Sequence, residues 1–244
     1  MGKNILIAGK ELPACADFAE GLALAGHSVV VAGGMDAEKT VSASGVSVAP
    51  WNKSSSIAAR SLIIQAETAA GFIDDAILYF DAPLFASQYL SFSVDCCPRA
   101  LDAMVVCYQY LSIEFLNRIA QHKTASRIVY ILKTCPTPAD VLRSSGGRKL
   151  PPASVTPIVC AAEAAFAAFA ESVAALNADN EYVSVLLISG DGQNETMKKD
   201  SALAAWLRDY LDASDALRGK GGARNSAAWI KAGAKVPGTF ALFR

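Results

Sequence analysis

The chain has 244 residues, 52% of them hydrophobic and 18% charged, and its 22 basic and 23 acidic residues leave a net charge of −1. It is long enough to bury a full core and too apolar for a disordered polypeptide. The balanced charge excludes the global attraction to nucleic acid or to an anionic membrane that a strongly basic chain would have.

The first predicted element is a strand at 4–8, "NILIA", and after the turn "GKEL" a helix is expected over 13–25. Strands follow at 28–32, 46–49, 76–80, 127–132, 182–188 and 239–243, and helices near 57–71, 98–121, 157–177 and 200–212. The runs "NILIA", "SVVVA", "RIVYIL" and "YVSVLLI" are apolar on both faces, which marks parallel strands covered on each side by helices. Alternation of strand and helix, with no internal repeat and no long linker, predicts an α/β fold. It is a single Rossmann-like domain over 1–244: a doubly wound parallel sheet of about seven strands with helices on both faces.

Other features narrow the chemistry. The opening residues lack the charged and apolar regions of a signal peptide, and the most apolar run, around 158–176, is interrupted by Glu163 and Glu171. These point to a cytoplasmic protein with no membrane partner. The six cysteines include no Cys-x-x-Cys pair, and the adjacent Cys96 and Cys97 could bridge only with backbone strain, so thiols are expected throughout. With only His27 and His122 as histidines, no metal site and no Ser-His-Asp triad is supported. Two glycine-rich basic loops, 143–149 and 218–224, carry Arg143, Arg148 and Lys149, and Arg218, Lys220 and Arg224. Each could clamp an anion.

The order of elements resembles the short-chain dehydrogenase/reductase family, in particular the ketoacyl-carrier-protein reductases. "DAILYFDAP" is similar to the family's fourth strand, "SRIVYILKT" to the fifth, "EAAFAAFAESVAAL" to the helix that carries the catalytic lysine, "EYVSVLLISGD" to the sixth strand and "VPGTFALF" to the last. The resemblance implies an NAD(P) cofactor and hydride transfer to or from a carbonyl or alcohol carbon. A tyrosine would donate the proton, a lysine four residues on would tune it, and a serine and an asparagine would assist. It also implies that the helices over 98–121 and 157–177 join subunits into a homodimer or homotetramer, or into a hetero-oligomer with an active paralogue.

The residues depart from that pattern at each point. In the glycine motif only Gly9 matches, with Pro13 and Cys15 at the other two positions. After the second strand Asp36 and Lys39 are the nearest groups to the expected ribose reader, and the third strand ends in Pro50, Trp51 and Asn52. The Asn-Asn-Ala-Gly of the fourth strand becomes Phe80, Asp81, Ala82 and Pro83. Glu163 stands at the lysine, Val159 at the tyrosine, Lys133 or Thr134 at the serine and Val105 near the asparagine. Valine has no proton to give and a glutamate reverses the charge that would tune a phenol.

The sequence therefore predicts a protein of this fold without the standard hydride transfer, serving as a ligand-binding or partner subunit. An atypical NAD(P)-dependent oxidoreductase is the alternative. A second alternative is a non-redox enzyme that uses Lys133 and Glu163 in the vacated cleft, where an ion pair between the two is the expected arrangement. NAD(P) binds only if the groove is open, and the positions that would then face it are Gly9, Lys10, Leu12, Gly33, Trp51 and Ala82. Lys133, Thr134 and Glu163 are the cleft candidates for catalysis.

Overall fold

The computed structural model describes residues 2–34, 45–90, 93–144, 156–218 and 227–237. The strands β1 (Asn4–Ala8), β2 (Ser28–Gly33), β3 (Val46–Pro50), β4 (Asp75–Asp81), β5 (Ser126–Thr134), β6 (Val183–Asp191) and β7 (Ile230–Lys231) form one seven-stranded sheet in the order β3-β2-β1-β4-β5-β6-β7. Every pairing is parallel, with Ile7 beside both Val31 and Ile77, and Leu132 beside both Phe80 and Ser189. The order reverses between β1 and β4, the place where sheets of this kind bind ligands at the carboxyl ends of their strands.

Alternation of side chains along the buried strands divides the core in two. Leu6, Val30, Leu78, Phe80, Tyr130 and Leu187 belong to one cluster, with α2 (Ser56–Ala70), α5 (Cys107–His122) and α7 (Pro157–Leu176). Ile5, Ile7, Val29, Ile77, Tyr79 and Ile188 belong to the other, with α1 (Ala16–Ala23) and α9 (Asp200–Arg218). The first cluster centres on Phe166, whose ring lies 5.2 Å from that of Phe80, 4.9 Å from Tyr108 and 5.7 Å from Tyr130. α7 is the one helix among the described residues that is long and apolar enough to cross a membrane by length and composition. Here it packs with Ile158, Val159, Ala162, Phe166, Ala170, Val173 and Ala174 buried.

The elements do not coincide with the sequence expectation everywhere. The strand expected at 239–243 lies outside the described residues, and the seventh strand of the sheet is the two-residue β7, too short to show any alternation. The helix expected over 98–121 is α4 (Cys97–Leu101) and α5 joined by a π-helical turn, Asp102–Val106, that contains Val105. Directly after β4, where no helix is expected, α3 (Ala82–Gln88) begins. Asp81 caps it by accepting the Leu84 amide at 3.1 Å, and Pro83 stands in its first turn. The remaining helices are the short α6 (Pro138–Ser144) and α8 (Glu195–Lys198).

Candidate functional site

The crevice at the β1/β4 switch point is built from the turn after β1, the ends of β4 and β5, and the first residue of α9. Gly9 adopts a φ of +102°, open to glycine and strained for any other residue. A Cβ there would come within 2.3 Å of both the Tyr108 hydroxyl and the Tyr79 carbonyl oxygen. Tyr108 Oη donates to that carbonyl at 2.8 Å. The close approach that Gly9 permits is thus to the chain's own tyrosine. Two amides at the start of α1 are also engaged: the Cys15 amide donates to Glu11 O at 2.9 Å and the Ala16 amide to Pro13 O at 3.0 Å. Pro13 has no amide to offer.

Lys10 is 6% exposed and turns into the crevice. Its Nζ lies 2.5 Å from Asp200 Oδ2, 3.1 Å from Asp81 Oδ2 and 5.0 Å from the centre of the Tyr79 ring. Burial alone would depress the ammonium, but Asp200 and Asp81 outweigh it and raise its pKa above the ordinary value. Lys133 approaches the same Asp81 oxygen at 3.7 Å. Cys15, fully buried nearby, has its thiol pushed up to about 12 by burial, with Lys10 acting in the opposite sense. The Tyr79 hydroxyl is buried beside Asp200, and burial first, with Asp81 and Asp200 adding, pushes its pKa well above the usual phenol value.

The other end of the crevice, beneath β2 and β3, is tied by Glu11. Its Oε2 accepts the Gly34 amide at 3.1 Å and its Oε1 meets Lys53 Nζ at 2.7 Å. Lys53 in turn lies 5.9 Å from the Trp51 ring, and Trp51 is 3% exposed within the first core cluster. Gly33 pairs with Pro50 in the β2–β3 ladder, Leu12 packs against the second cluster, and Ala82 is fully buried at the start of α3. Asp36 and Lys39 lie outside the described residues, as does most of both basic loops. Arg143 is exposed and 3.5 Å from Asp140. On these residues the crevice does not fit a dinucleotide. The carboxylates of Asp81 and Asp200 converge with Lys10 where a pyrophosphate needs donors, and the Cys15 and Ala16 amides serve the chain itself.

At the end of β5 the expected Lys133–Glu163 ion pair does not form. Lys133 sits on Asp81 instead, because the shared strand ends of β4 and β5 bring Asp81 beside it in the ladder. Thr134 closes β5 opposite Asp191. Glu163 is half-buried on α7 beside Cys135 and Cys160, and burial, with Asp140 adding, pushes its carboxyl up to about 7 against the Cys135 backbone. Burial first, and Glu163 second, also raise the Cys135 and Cys160 thiols. Val159 is fully buried. Glu11, Lys53, Tyr108 and Asp200 were not singled out from the sequence. A charged Glu11 in a turn that should be glycine-rich was a usable signal; nothing marked Asp200, 190 residues from Lys10, as its partner.

No family model and no curated protein matches the sequence. Solved structures do match the fold. A short-chain dehydrogenase from Mycobacterium smegmatis superposes with a TM-score of 0.66 at 16% identity, covering 95% of this chain and 91% of that one. A variant of a short-chain dehydrogenase/reductase from Serratia marcescens gives 0.62 at 16%, over 95% of each chain. A short-chain dehydrogenase from Bacillus anthracis gives 0.62 at 15%, over 93% and 94%. The chain therefore has the short-chain dehydrogenase/reductase fold. At these identities the likeness is one of architecture, and the chemistry rests on the residues described above.

Proposed function

We propose that this is a protein of short-chain dehydrogenase/reductase fold that lacks the family's tyrosine-dependent hydride transfer and acts in the cytoplasm as a ligand-binding or partner subunit. The observation that carries the reading is the Lys10–Asp81–Asp200 cluster, in which the chain's own charged groups take up the crevice. The buried Val159 at the position of the proton donor supports it. The exposed small residues of α7, Ala161, Ala164, Ala168 and Ala175, would let a helix of a second subunit approach closely, in a homodimer, a homotetramer or a mixed oligomer with an active paralogue.

The test is a titration of the purified protein with NADH and with NADPH, read as quenching of tryptophan emission. No saturable change up to millimolar cofactor is expected. Saturation at micromolar concentration would overturn the proposal and restore the oxidoreductase alternative. A second reading is favoured by Glu163 alone: a half-buried carboxyl that titrates near neutral pH suits a general base in a non-redox reaction. On that reading Lys133 is engaged by Asp81 and the groups beside Glu163 are the Cys135 and Cys160 thiols.

A further inference from the structure

The two edges of the sheet are finished differently. β7 is two residues long and offers little to pair with, whereas β3 runs for five residues, and among the described residues no strand lies beyond it. A long edge is normally guarded by charged side chains, a bulge or a covering segment, because its unpaired amides and carbonyls accept another strand. β3 reads "VSVAP" and carries no charge. The face of α2 beside it presents Gln65, Thr68 and Ala69, again uncharged, and with Ser47 and Ala49 these line a groove of about 310 Å³. The charged residues of α2, Arg60 and Glu67, lie on the side toward α5, where Arg60 and Arg118 line one pocket and Arg118 pairs with Glu67.

The backbone fixes which groups the edge offers. The Trp51 amide donates to Gly33 O at 2.8 Å, so the odd-numbered residues of β3 turn their amides and carbonyls toward β2. Val46, Val48 and Pro50 therefore turn theirs outward. Pro50 fits this pattern, since the amide it lacks would have pointed away from the sheet. The outward row thus holds donors at Val46 and Val48 and acceptors at Val46, Val48 and Pro50. Laid antiparallel on a copy of itself about Val48, the row is self-complementary. The two Val48 residues exchange both of their bonds, and each Val46 amide meets the carbonyl of the facing Pro50.

We propose that β3 is a dimerisation edge, joining two copies of this chain through a two-fold axis at Val48 into one continuous sheet. An axis perpendicular to the sheet keeps α2 of both copies on the same face, so the two grooves merge and each receives Gln65, Thr68 and Ala69 of the other copy. A two-fold contact sets the residues on its axis against their own copies, where a charge would repel itself, and the uncharged strand and helix face meet that condition. The contact is separate from the α7 seam proposed above and does not depend on it.

The experiment measures the mass of the full chain in solution by light scattering at tens of micromolar. An oligomer with an even number of chains is expected. Val48→Pro removes one outward amide and no bond to β2, and it should halve that mass while the circular dichroism stays that of the folded chain. Thr68→Lys tests the same contact from the helix and decides the matter where Val48→Pro does not fold: Thr68 is exposed and its hydroxyl bonds back to Ile64 O at 2.7 Å within α2. It should also halve the mass, and mixing it with Thr68→Glu should restore the larger species. A monomer in the unaltered chain overturns the proposal. So does an oligomer whose mass both substitutions leave unchanged; its loss in Ala168→Glu would then place the contact on α7.

Discussion

Two charged clusters lie at opposite ends of the same strands, and they are built alike. At the carboxyl end, Lys10 after β1 and Lys133 of β5 meet Asp81, the last residue of β4, while Asp200 of α9 completes the group. At the amino end, Lys3 before β1 and Arg127 of β5 meet Asp75, the first residue of β4, at 3.2 Å and 3.5 Å, while Asp215 of α9 pairs with both bases. Each cluster takes a base from the β1 flank, an acid from β4, a base from β5 and an acid from α9. Ligands of such sheets bind at the carboxyl ends. The lower cluster, at the end where none is expected, shows what the arrangement does by itself: it fastens α9 across three strands. Repetition of the pattern above identifies the upper cluster as the second fastening of the same helix.

That comparison is open to direct attack. The largest effect is expected for Arg127→Met, because the guanidinium side chain is 4% exposed and its loss leaves Asp75, 2% exposed, with only Lys3. Breaking a buried pair in this way costs about 3–5 kcal/mol, read as a lower urea midpoint at unchanged slope. Lys10→Met should cost less, about 2 kcal/mol: Lys133 still faces Asp81, and Asp200, which loses the Lys10 ammonium, is 12% exposed where Asp75 is 2% exposed. If Lys10→Met proves neutral while Arg127→Met is severe, the two clusters are not equivalent and the upper one is free to serve a ligand.

A third effect, read from its pH signature, is expected at Glu163. Its folded pKa of about 7 lies above the ordinary carboxyl value of 4.5. Below the ordinary value the carboxyl is neutral in both states and contributes no penalty. As pH rises toward and through 7 the folded state resists an ionisation that the unfolded state accepts, and stability is lost. Glu163→Gln should therefore unfold at a higher temperature than the unaltered protein at pH 8 and at about the same temperature at pH 4. Equal shifts at both pH values would place Glu163 in a solvated setting and remove the support for a general base.

The sheet was legible because buried parallel strands carry an unbroken apolar run, as in "NILIA" and "RIVYIL", and such runs admit few alternatives. β7 carried no such run. The helix α3 opens on the cap Asp81 and on Pro83, but at seven residues it is too short to carry a helical period of its own. The site was harder for a different reason. Lys10 could be placed in the crevice from its position after β1, but whether it faced a phosphate or a carboxylate depended on Asp200, whose approach only the packing of α1 against α9 determines. Trp51 likewise could be placed at the end of β3 without disclosing that its ring turns inward.

The Lys10 ammonium is joined to the backbone by its own side chain, which has a thermodynamic consequence. A protein that holds a diffusible ligand in its central crevice gains stability by mass action, so its folded fraction rises and falls with the supply of that ligand. A covalently tethered cation has a constant effective concentration at its two carboxylates. The hold of Lys10 on Asp81 and Asp200 is thus present from the moment α9 docks, and its strength does not vary with the supply of any ligand.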